Sequence, residues 1–513
     1  MSSLKLEFLT EAMEYLRPVL RETKTVEETA EAIIPDSCPD VAEILYTDGL
    51  SYLRGKELSE GAVSVSAGVS ASVLCKPDGR KEPEVVEVYI PLSLRLENHA
   101  LKPGLLCSVQ VQLRRLDSHM VNPRKVLVRA TVAVTVWVWE PCREEHPRSL
   151  AAGEAELLLG TAPMKLLGAL GEKNYTAEDS LRLSPDGHGL RLVSCGAEIT
   201  HQDARLTGAR AVFKGTVKLT ALYLSDGGAL ETGTAQLPFS QYIDLGDCRE
   251  TDELRLYTCL TGADIELTAD GGGLNAALQL MTRAEVYTMR ELSYIKDLYS
   301  LRGEASPMLE KRHYESLLDR QYFAPTGRGS VPLGGSRVVL CTCEPGEISH
   351  ARSGETTTFT LPVTVQVLTE DNGDLRGGST RVELTCSTQA SPGCRFEAAV
   401  EGLQVTSSTT GEAVEVQVTG EVSVSTYATG EIDEIAGAEV TELEPSQEVP
   451  GLIIRRPKPG ESLWSLAKHY RTTMSAISAA NGLEGEPTPD MLLLIPGNSG
   501  RPSGTPGAEL ATV

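Results

Sequence analysis

Basic residues and aromatic residues are both scarce in this chain of 513 residues. Lys and Arg number 47 against 71 Asp and Glu, which gives a formal net charge of −24. Such a surface repels phosphate backbones and anionic lipids, so the composition argues against a nucleic-acid-binding protein. Aromatic residues make up 5 % of the chain, so packed cores must be built from Val, Leu, Ala and Ile. At about 150 residues per domain, the length predicts three to four domains.

The residue sets that mark common catalytic and metal sites are also missing. The sequence contains no phosphate-binding GxxxxGK[ST] loop, no GxSxG nucleophile elbow and no HExxH zinc motif. Its 11 cysteines are scattered, and the close pair Cys341 and Cys343 does not have the CxxC spacing of a zinc site. We therefore predict a protein without catalytic residues, metal ligands or a cofactor, whose cysteines are free thiols.

Long apolar runs are absent as well. The most apolar stretch, residues 126–139, is interrupted by Arg129 and by threonines, which is a strand pattern rather than a membrane span of about 20 apolar residues. Residues 1–8 lack a basic segment followed by an apolar run. We accordingly expect no secretory signal and no membrane insertion, and a protein that stays in the compartment where it is made.

Strict two-residue alternation of apolar residues, which indicates strands with one buried face, recurs along the chain. Such strands occur at residues 63–75, 217–223 and 359–367, and again at 126–138, 274–280 and 414–424. Each of the first three runs into an Asp-Gly or Asn-Gly pair, which suits a two-residue hairpin turn. The glycines of these pairs, Gly79, Gly227 and Gly373, lie 148 and 146 residues apart. The repeat predicts three antiparallel β-sandwich-like modules.

Two segments show a helical spacing of apolar residues instead, at 6–20 and at 308–322. We predict an N-terminal helical segment over 1–32 and a leading helix in the second and third modules. The predicted modules are residues 33–145, 146–304 and 305–440. An acidic linker at 441–451, a small module at 452–496 and a disordered tail at 497–513 are expected to follow. The predicted fold class is thus mainly β, with tandem antiparallel β-sandwich-like modules and a small C-terminal α+β module.

The small module is predicted to have the order strand, helix, helix, strand. Ser462 suits the N-cap of a helix over 463–470, and Asn481-Gly482 suits the end of a second helix. A closing strand follows at 491–495. Trp464 lies in the first helix, where packing in the core or at a groove edge is favoured over direct stacking on a ligand.

The run PGESLW at 459–464, with NGL at 481–483 and LIP at 494–496, resembles the LysM domain. LysM domains bind N-acetylglucosamine polymers such as peptidoglycan and chitin. The resemblance implies a binding groove between two loops, and whether this groove binds a glycan or a protein is left open. The residues implied in the groove are Gly460, Glu461, Ser462, Leu463, Asn481, Gly482 and Leu483.

The run IPDSCPDVAEIL at 34–45 resembles the start of the SPOCS-domain family, and the strand–turn–strand units are similar to that family's repeated unit. SPOCS modules followed by one LysM domain form the architecture of SipL-type spore coat morphogenetic proteins of endospore-forming bacteria. The resemblance implies a protein of the mother-cell cytoplasm that lies at the forespore surface, in the spore coat. Its implied partners are the coat basement-layer ATPase and other coat proteins, and self-association is also open.

The sequence suggests three candidate functions. The first is a non-enzymatic adaptor for spore coat assembly, whose LysM module docks on a basement-layer protein. The second is a peptidoglycan-binding protein of the spore cortex or cell wall. The third, a hydrolase with a LysM targeting module, is the weakest because no residue set in the sequence supports the chemistry.

Overall fold

Strands account for most of the protein, and the predicted mainly β fold class is confirmed. The computed structural model describes residues 3–80, 82–152, 154–183, 190–225, 227–246, 248–333, 337–442 and 451–497. Within these ranges, sheet pairing groups the strands into three modules of one topology and a small C-terminal module.

The first module is a sandwich of two three-stranded antiparallel sheets. Its strands, preceded by the short β1 (Ser3–Lys5), are β2 (Glu7–Ile33), β3 (Val41–Ser59), β4 (Ala62–Pro77), β5 (Glu84–Glu97), β6 (Leu106–Asn122) and β7 (Lys125–Ala152). One sheet has the order β3-β4-β5 and the other β2-β7-β6. The two central strands, β4 and β7, supply alternating valines such as Val69 and Val132 to the core between the sheets. This is the inward-facing pattern that the alternation in the sequence predicts.

The second module repeats this topology. Its strands are β8 (Glu156–Arg182), β9 (Arg191–Thr207), β10 (Arg210–Leu224), β11 (Leu230–Asp244), β12 (Glu253–Leu267) and β13 (Gly273–Tyr299). The sheets have the orders β9-β10-β11 and β8-β13-β12. Phe213 and Leu278, from the two central strands, are fully buried in the core between them.

The third module has the same plan with two interrupted strands. Its strands are β14 (Gly303–Phe323), β15 (Thr326–Val331), β16 (Arg337–Pro345), β17 (Ser349–Ser353), β18 (Thr356–Asp371), β19 (Asp374–Gln389), β20 (Arg395–Thr410) and β21 (Ala413–Glu442). Strands β16 and β17 share one edge of β18, and β14 and β15 share one edge of β21. Asn372 and Gly373 form the predicted hairpin turn, with φ of 51° and 82°.

The three modules form a closed ring about a pseudo-threefold axis. Leu74, Leu222 and Leu368 are spaced by the sequence repeat, and all three are buried in one apolar cluster where the modules meet. The ring closes because module three contacts module one directly. The hydroxyls of Tyr46 and Thr342 lie 3.2 Å apart across this contact.

Beyond the sandwiches, the longest strands continue as three two-stranded arms. Arm 1 pairs residues 7–18 with 139–152, arm 2 pairs 156–169 with 286–299, and arm 3 pairs 303–317 with 427–442. The arms pack on one another through apolar residues that include Leu298 and Ala438. Strand β1 pairs with the end of β21, so the N-terminal residues cross from arm 3 to arm 1.

The predicted helices over 1–32, at the start of module two and at 308–322 are wrong, because these segments form β2, β8 and β14. Each of these strands has apolar residues on both of its faces, because both faces of an arm are buried, and this produces a spacing of apolar residues that resembles that of a helix. Tyr314 and Leu317 point to opposite faces of β14, and each face packs in a different apolar cluster. Leu309 and Leu318, two of the apolar residues on which the prediction of a helix at 308–322 rested, are 66 % and 53 % exposed. Strand β7 also runs through the predicted module boundary at residue 146.

The C-terminal module has the predicted order of strand, helix, helix, strand. Its elements are β22 (Leu452–Arg455), α1 (Leu463–Tyr470), α2 (Met474–Asn481) and β23 (Leu493–Pro496). Of the predicted acidic linker at 441–451, residues 443–450 lie outside the described ranges, as does the predicted tail from residue 498 onwards.

Ring closure requires a residue without a side chain on β19. A Cβ at Gly377 would lie 1.6 Å from the backbone oxygen of Leu45 in module one. We expect Gly377→Ala to destabilise the protein by about 1–3 kcal/mol in urea unfolding, because the two strands must separate. Gly430→Ala is the matched control, since a Cβ there would meet open space. Equal effects of the two substitutions would contradict this account.

Carboxylates also meet where module three contacts module one. Burial, and then the nearby charge of Asp48, raises the pKa of Glu344 to about 8. The folded state therefore binds this proton more tightly than the unfolded state. The resulting stabilisation is present below the ordinary pKa of a glutamate and is lost as the pH rises through about 8. We expect the thermal midpoint to fall across that interval, and to fall less in Glu344→Gln. A fall of the same size in the variant would show that Glu344 is not responsible.

Candidate functional site

Turn and capping residues build the loop between β22 and α1. Gly460 adopts a φ of 80°, which a glycine tolerates at little cost, and the backbone N–H of Glu461 donates to the carbonyl of Lys458 at 3.1 Å. The Ser462 hydroxyl then accepts from the backbone N–H of Ser465 at 3.1 Å. The predicted N-cap is thereby confirmed, and it fixes where α1 begins.

The second predicted loop begins where α2 ends. Gly482 caps the helix with a φ of 63°, and its N–H donates to the carbonyl of Ser478. The Asn481 side chain donates to the carbonyl of Leu494 at 2.7 Å and accepts from the N–H of Leu494 at 2.7 Å. Asn481 therefore joins α2 to β23, and its amide group serves the fold of the module.

The two predicted loops come together at the start of α1. The backbone N–H of Leu463 donates to the Glu486 carboxylate at 2.7 Å, and Leu463 and Leu483 belong to one apolar cluster. The Glu461 carboxylate accepts from the N–H of Lys458 at 2.9 Å and is paired with Arg455. Most predicted side chains thus have structural partners, whereas Gly460 and Gly482 are exposed. The binding role of the seven residues stays a prediction.

The C-terminal module packs on the tip of arm 2. The Trp464 indole N–H donates to the Asp297 carboxylate at 2.8 Å, and the Lys468 ammonium lies 2.6 Å from the same group. The Tyr299 hydroxyl donates to the carbonyl of Thr472 at 2.7 Å, and its ring meets that of Trp464 edge-on with centroids 4.8 Å apart. We call this set of contacts the docking interface.

Electrostatics favours the docked position. Partial burial raises the pKa of Asp297, but the hydrogen bonds from Lys468 and Trp464 outweigh it and hold the pKa below its usual range. The carboxylate is therefore ionised at neutral pH, when it can accept both bonds. Trp464 packs in this interface, as favoured from the sequence, rather than lying open for a ligand.

Sequence reasoning missed Asp297 and Tyr299 altogether. Both lie near the end of β13, well beyond the strand predicted at 274–280, and no motif marks them. Their role follows from the packing of residues that are 167 and 173 positions apart along the chain.

An apolar face of the C-terminal module remains uncovered. Leu452 and Ile454 lie on one face of β22 and are 52 % and 59 % exposed. Leu492, just before β23, is 64 % exposed. We call these three residues the outer sheet face. Exposed apolar side chains that lie together in this way can form a contact surface.

The described ranges contain no group of three or more His, Cys, Asp or Glu side chains that could hold a metal ion. In the same ranges, no helix has the length and apolar character needed to cross a membrane.

Comparison with known proteins identifies the C-terminal module. The family model of the LysM domain matches residues 458–496, which contain the turn at Gly460, both helices and β23. Neither a curated protein nor a solved structure was found to match the chain. The comparison thus assigns a family to this module alone, and the chain carries a LysM domain, a binding module rather than a catalytic one, at residues 458–496.

Proposed function

We propose that this protein is a non-enzymatic scaffold whose LysM domain binds an N-acetylglucosamine polymer such as peptidoglycan. The observation that carries the proposal is the LysM match over 458–496, together with an intact pair of loops. The domain suggests binding to carbohydrate and a role associated with the cell wall, and the rest of the chain supplies a rigid ring on which it is held.

The two loops leave their backbone open to a ligand. A Cβ at Gly460, Gly482 or Gly485 would meet open space, so nothing in the described protein covers these positions. Glycines let a ligand approach the backbone closely, and backbone N–H and carbonyl groups can then bond to sugar hydroxyls and N-acetyl groups. Gly460 and Gly482 remain exposed while the domain is docked on arm 2, so docking and glycan binding are compatible.

A second candidate function is the spore coat adaptor. In this version the protein lies at the forespore surface in the mother cell, and its LysM domain binds the coat basement-layer ATPase. The outer sheet face favours it, because Leu452, Ile454 and Leu492 form an exposed apolar surface of the kind found at protein contacts. The resemblance of the N-terminal run and the repeats to SPOCS modules supports the same version.

The two ligands can be separated by two substitutions on different faces of the LysM domain. Gly485→Tyr adds bulk beside Glu486, which bridges the loops, and we expect it to weaken sedimentation with purified peptidoglycan about tenfold. Ile454→Asp places a charge on the outer sheet face, where it should leave peptidoglycan binding unchanged.

For the adaptor version the expected pattern is reversed. Ile454→Asp should abolish binding to the purified basement-layer ATPase, whereas Gly485→Tyr should preserve it. Each variant is the other's control, since both sites are exposed and neither supports the core. Wild-type protein that binds neither peptidoglycan nor the ATPase would contradict both versions.

The docking interface makes a separate prediction. Asp297→Ala removes the acceptor for Trp464 and Lys468, so we expect faster hydrogen exchange over 297–301 and 463–473 and a larger radius of gyration in solution scattering. Asp297→Asn keeps one acceptor oxygen but no charge and should give a smaller change. Asp433→Ala is the matched control, because Asp433 lies on arm 3 and its side chain is exposed. Unchanged exchange in Asp297→Ala would show that the contacts do not hold the domain.

A further inference from the structure

A cleft lies where module three meets module one, and no residue of the LysM domain lines it. One wall is the outer face of the sheet β2-β7-β6, and the other is formed by β20 with parts of β17 and β18. Its volume is about 520 Å³, within the range of ligand pockets, which is roughly 300–1,000 Å³. Size alone therefore permits a small molecule or part of a polymer.

The repeat provides an internal comparison. An equivalent cleft of about 630 Å³ lies between modules one and two. Leu53, which lines it, precedes Glu347 of the first cleft by two sequence repeats. The cleft between modules one and two has a single aromatic side chain in its lining, Tyr175. The cleft between modules three and one has four: Trp137, Tyr257, Phe359 and Phe396. In a chain with 5 % aromatic residues, this number of aromatic residues distinguishes the cleft between modules three and one from the cleft between modules one and two.

Charges in this cleft balance. Its lining holds three arginines and three glutamates, in contrast to the acidic chain as a whole. Arg395 donates to Glu315 at 3.1 Å, and Arg21 is paired with Glu397. Because four of these six side chains are paired with one another and the formal charges cancel, the cleft offers little net attraction to a free anion or cation. A neutral ligand fits this lining better.

Hydrogen-bonding groups are nevertheless plentiful. Gln110, Gln112, Thr23 and Thr135 line the sheet wall. The buried Tyr257 hydroxyl has no hydrogen-bond partner among the described residues. Its ring is held between two guanidinium groups, with Arg255 and Arg283 at 4.3 Å and 4.2 Å from its centroid, so the hydroxyl has a fixed direction. Buried polar atoms are normally satisfied by protein, water or a ligand.

We propose that this cleft binds a neutral oligosaccharide. A sugar ring has apolar C–H faces that pack on aromatic side chains, and hydroxyls that both donate and accept hydrogen bonds. Amide and hydroxyl side chains such as Gln110, Gln112 and Thr135 match the hydroxyls, and the half-buried Phe396 offers a ring to an apolar face. Trp137 and Phe359 are 5 % and 2 % exposed and Tyr257 is stacked by guanidinium groups, so these three offer little ring face. The site is distinct from the LysM loops, and the proposal does not depend on what those loops bind.

The test uses the full-length protein with two probes, an N-acetylglucosamine tetramer and cellotetraose. Binding is measured by calorimetry and located by hydrogen exchange. We expect a tetrasaccharide to protect residues 108–114 and 395–400. The double variant Gln110→Ala/Gln112→Ala should weaken this binding about tenfold, because two amide partners are lost. Thr131→Ala is the control, since Thr131 lies on the same face of β7 but does not line the cleft.

Thr135→Trp fills the cleft with a large side chain. It should abolish the protection of residues 395–400 even if the double variant Gln110→Ala/Gln112→Ala does not change binding. Protection confined to 458–486 would place all binding on the LysM domain and overturn the proposal. Binding that neither cleft variant changes would also overturn the proposal. So would the absence of protection with both probes, because the cleft would then hold water only. Gly485→Tyr separates the two sites, because it should change LysM binding and leave the cleft unaffected.

Discussion

The mutual burial of three equivalent apolar positions holds the ring together. Leu74, Leu222 and Leu368 each lie on the central strand of a sheet but outside that module's own core, and each is fully buried where the three modules meet. Burial of one such side chain contributes roughly 1.5–3 kcal/mol. The packing of the arms on one another and the cleft between modules three and one both require the modules to be held together.

A buried arginine adds specificity to this apolar contact. Arg283 of module two is 2 % exposed and stacks on Trp137 of module one, with the guanidinium carbon 3.9 Å from the ring centroid. Burial lowers the pKa of Arg283, and the charge of Glu285 opposes that shift. Glu285 lies on the same strand as Arg283, whereas Trp137 belongs to the neighbouring module, so an arrangement that removed Trp137 would leave the buried guanidinium without its stacking partner. The pair therefore selects one packing of the modules.

The sequence predicts the parts of this protein that depend on neighbours in the chain. Alternating valines and Asn372-Gly373 identify the central strands and a turn, and Ser462 identifies the start of α1. The arms are missed because Tyr314 and Leu317 are buried on opposite faces of one strand, a pattern that imitates a helix. Likewise Asp297 and the cleft depend on residues more than a hundred positions apart, which no local pattern brings together.

Docking on one arm breaks the symmetry of the ring. The last eight residues of β7 and of β21, at the tips of arms 1 and 3, contain neither aspartate nor tyrosine, so they cannot reproduce the contacts of Asp297 and Tyr299. Among the three arm tips, arm 2 alone therefore offers this attachment position, and the LysM domain at 458–496 supplies one pair of loops for each ring. Strong attachment to a polymer would then require several rings to act together, since avidity comes from linked sites rather than from the three similar modules of one chain.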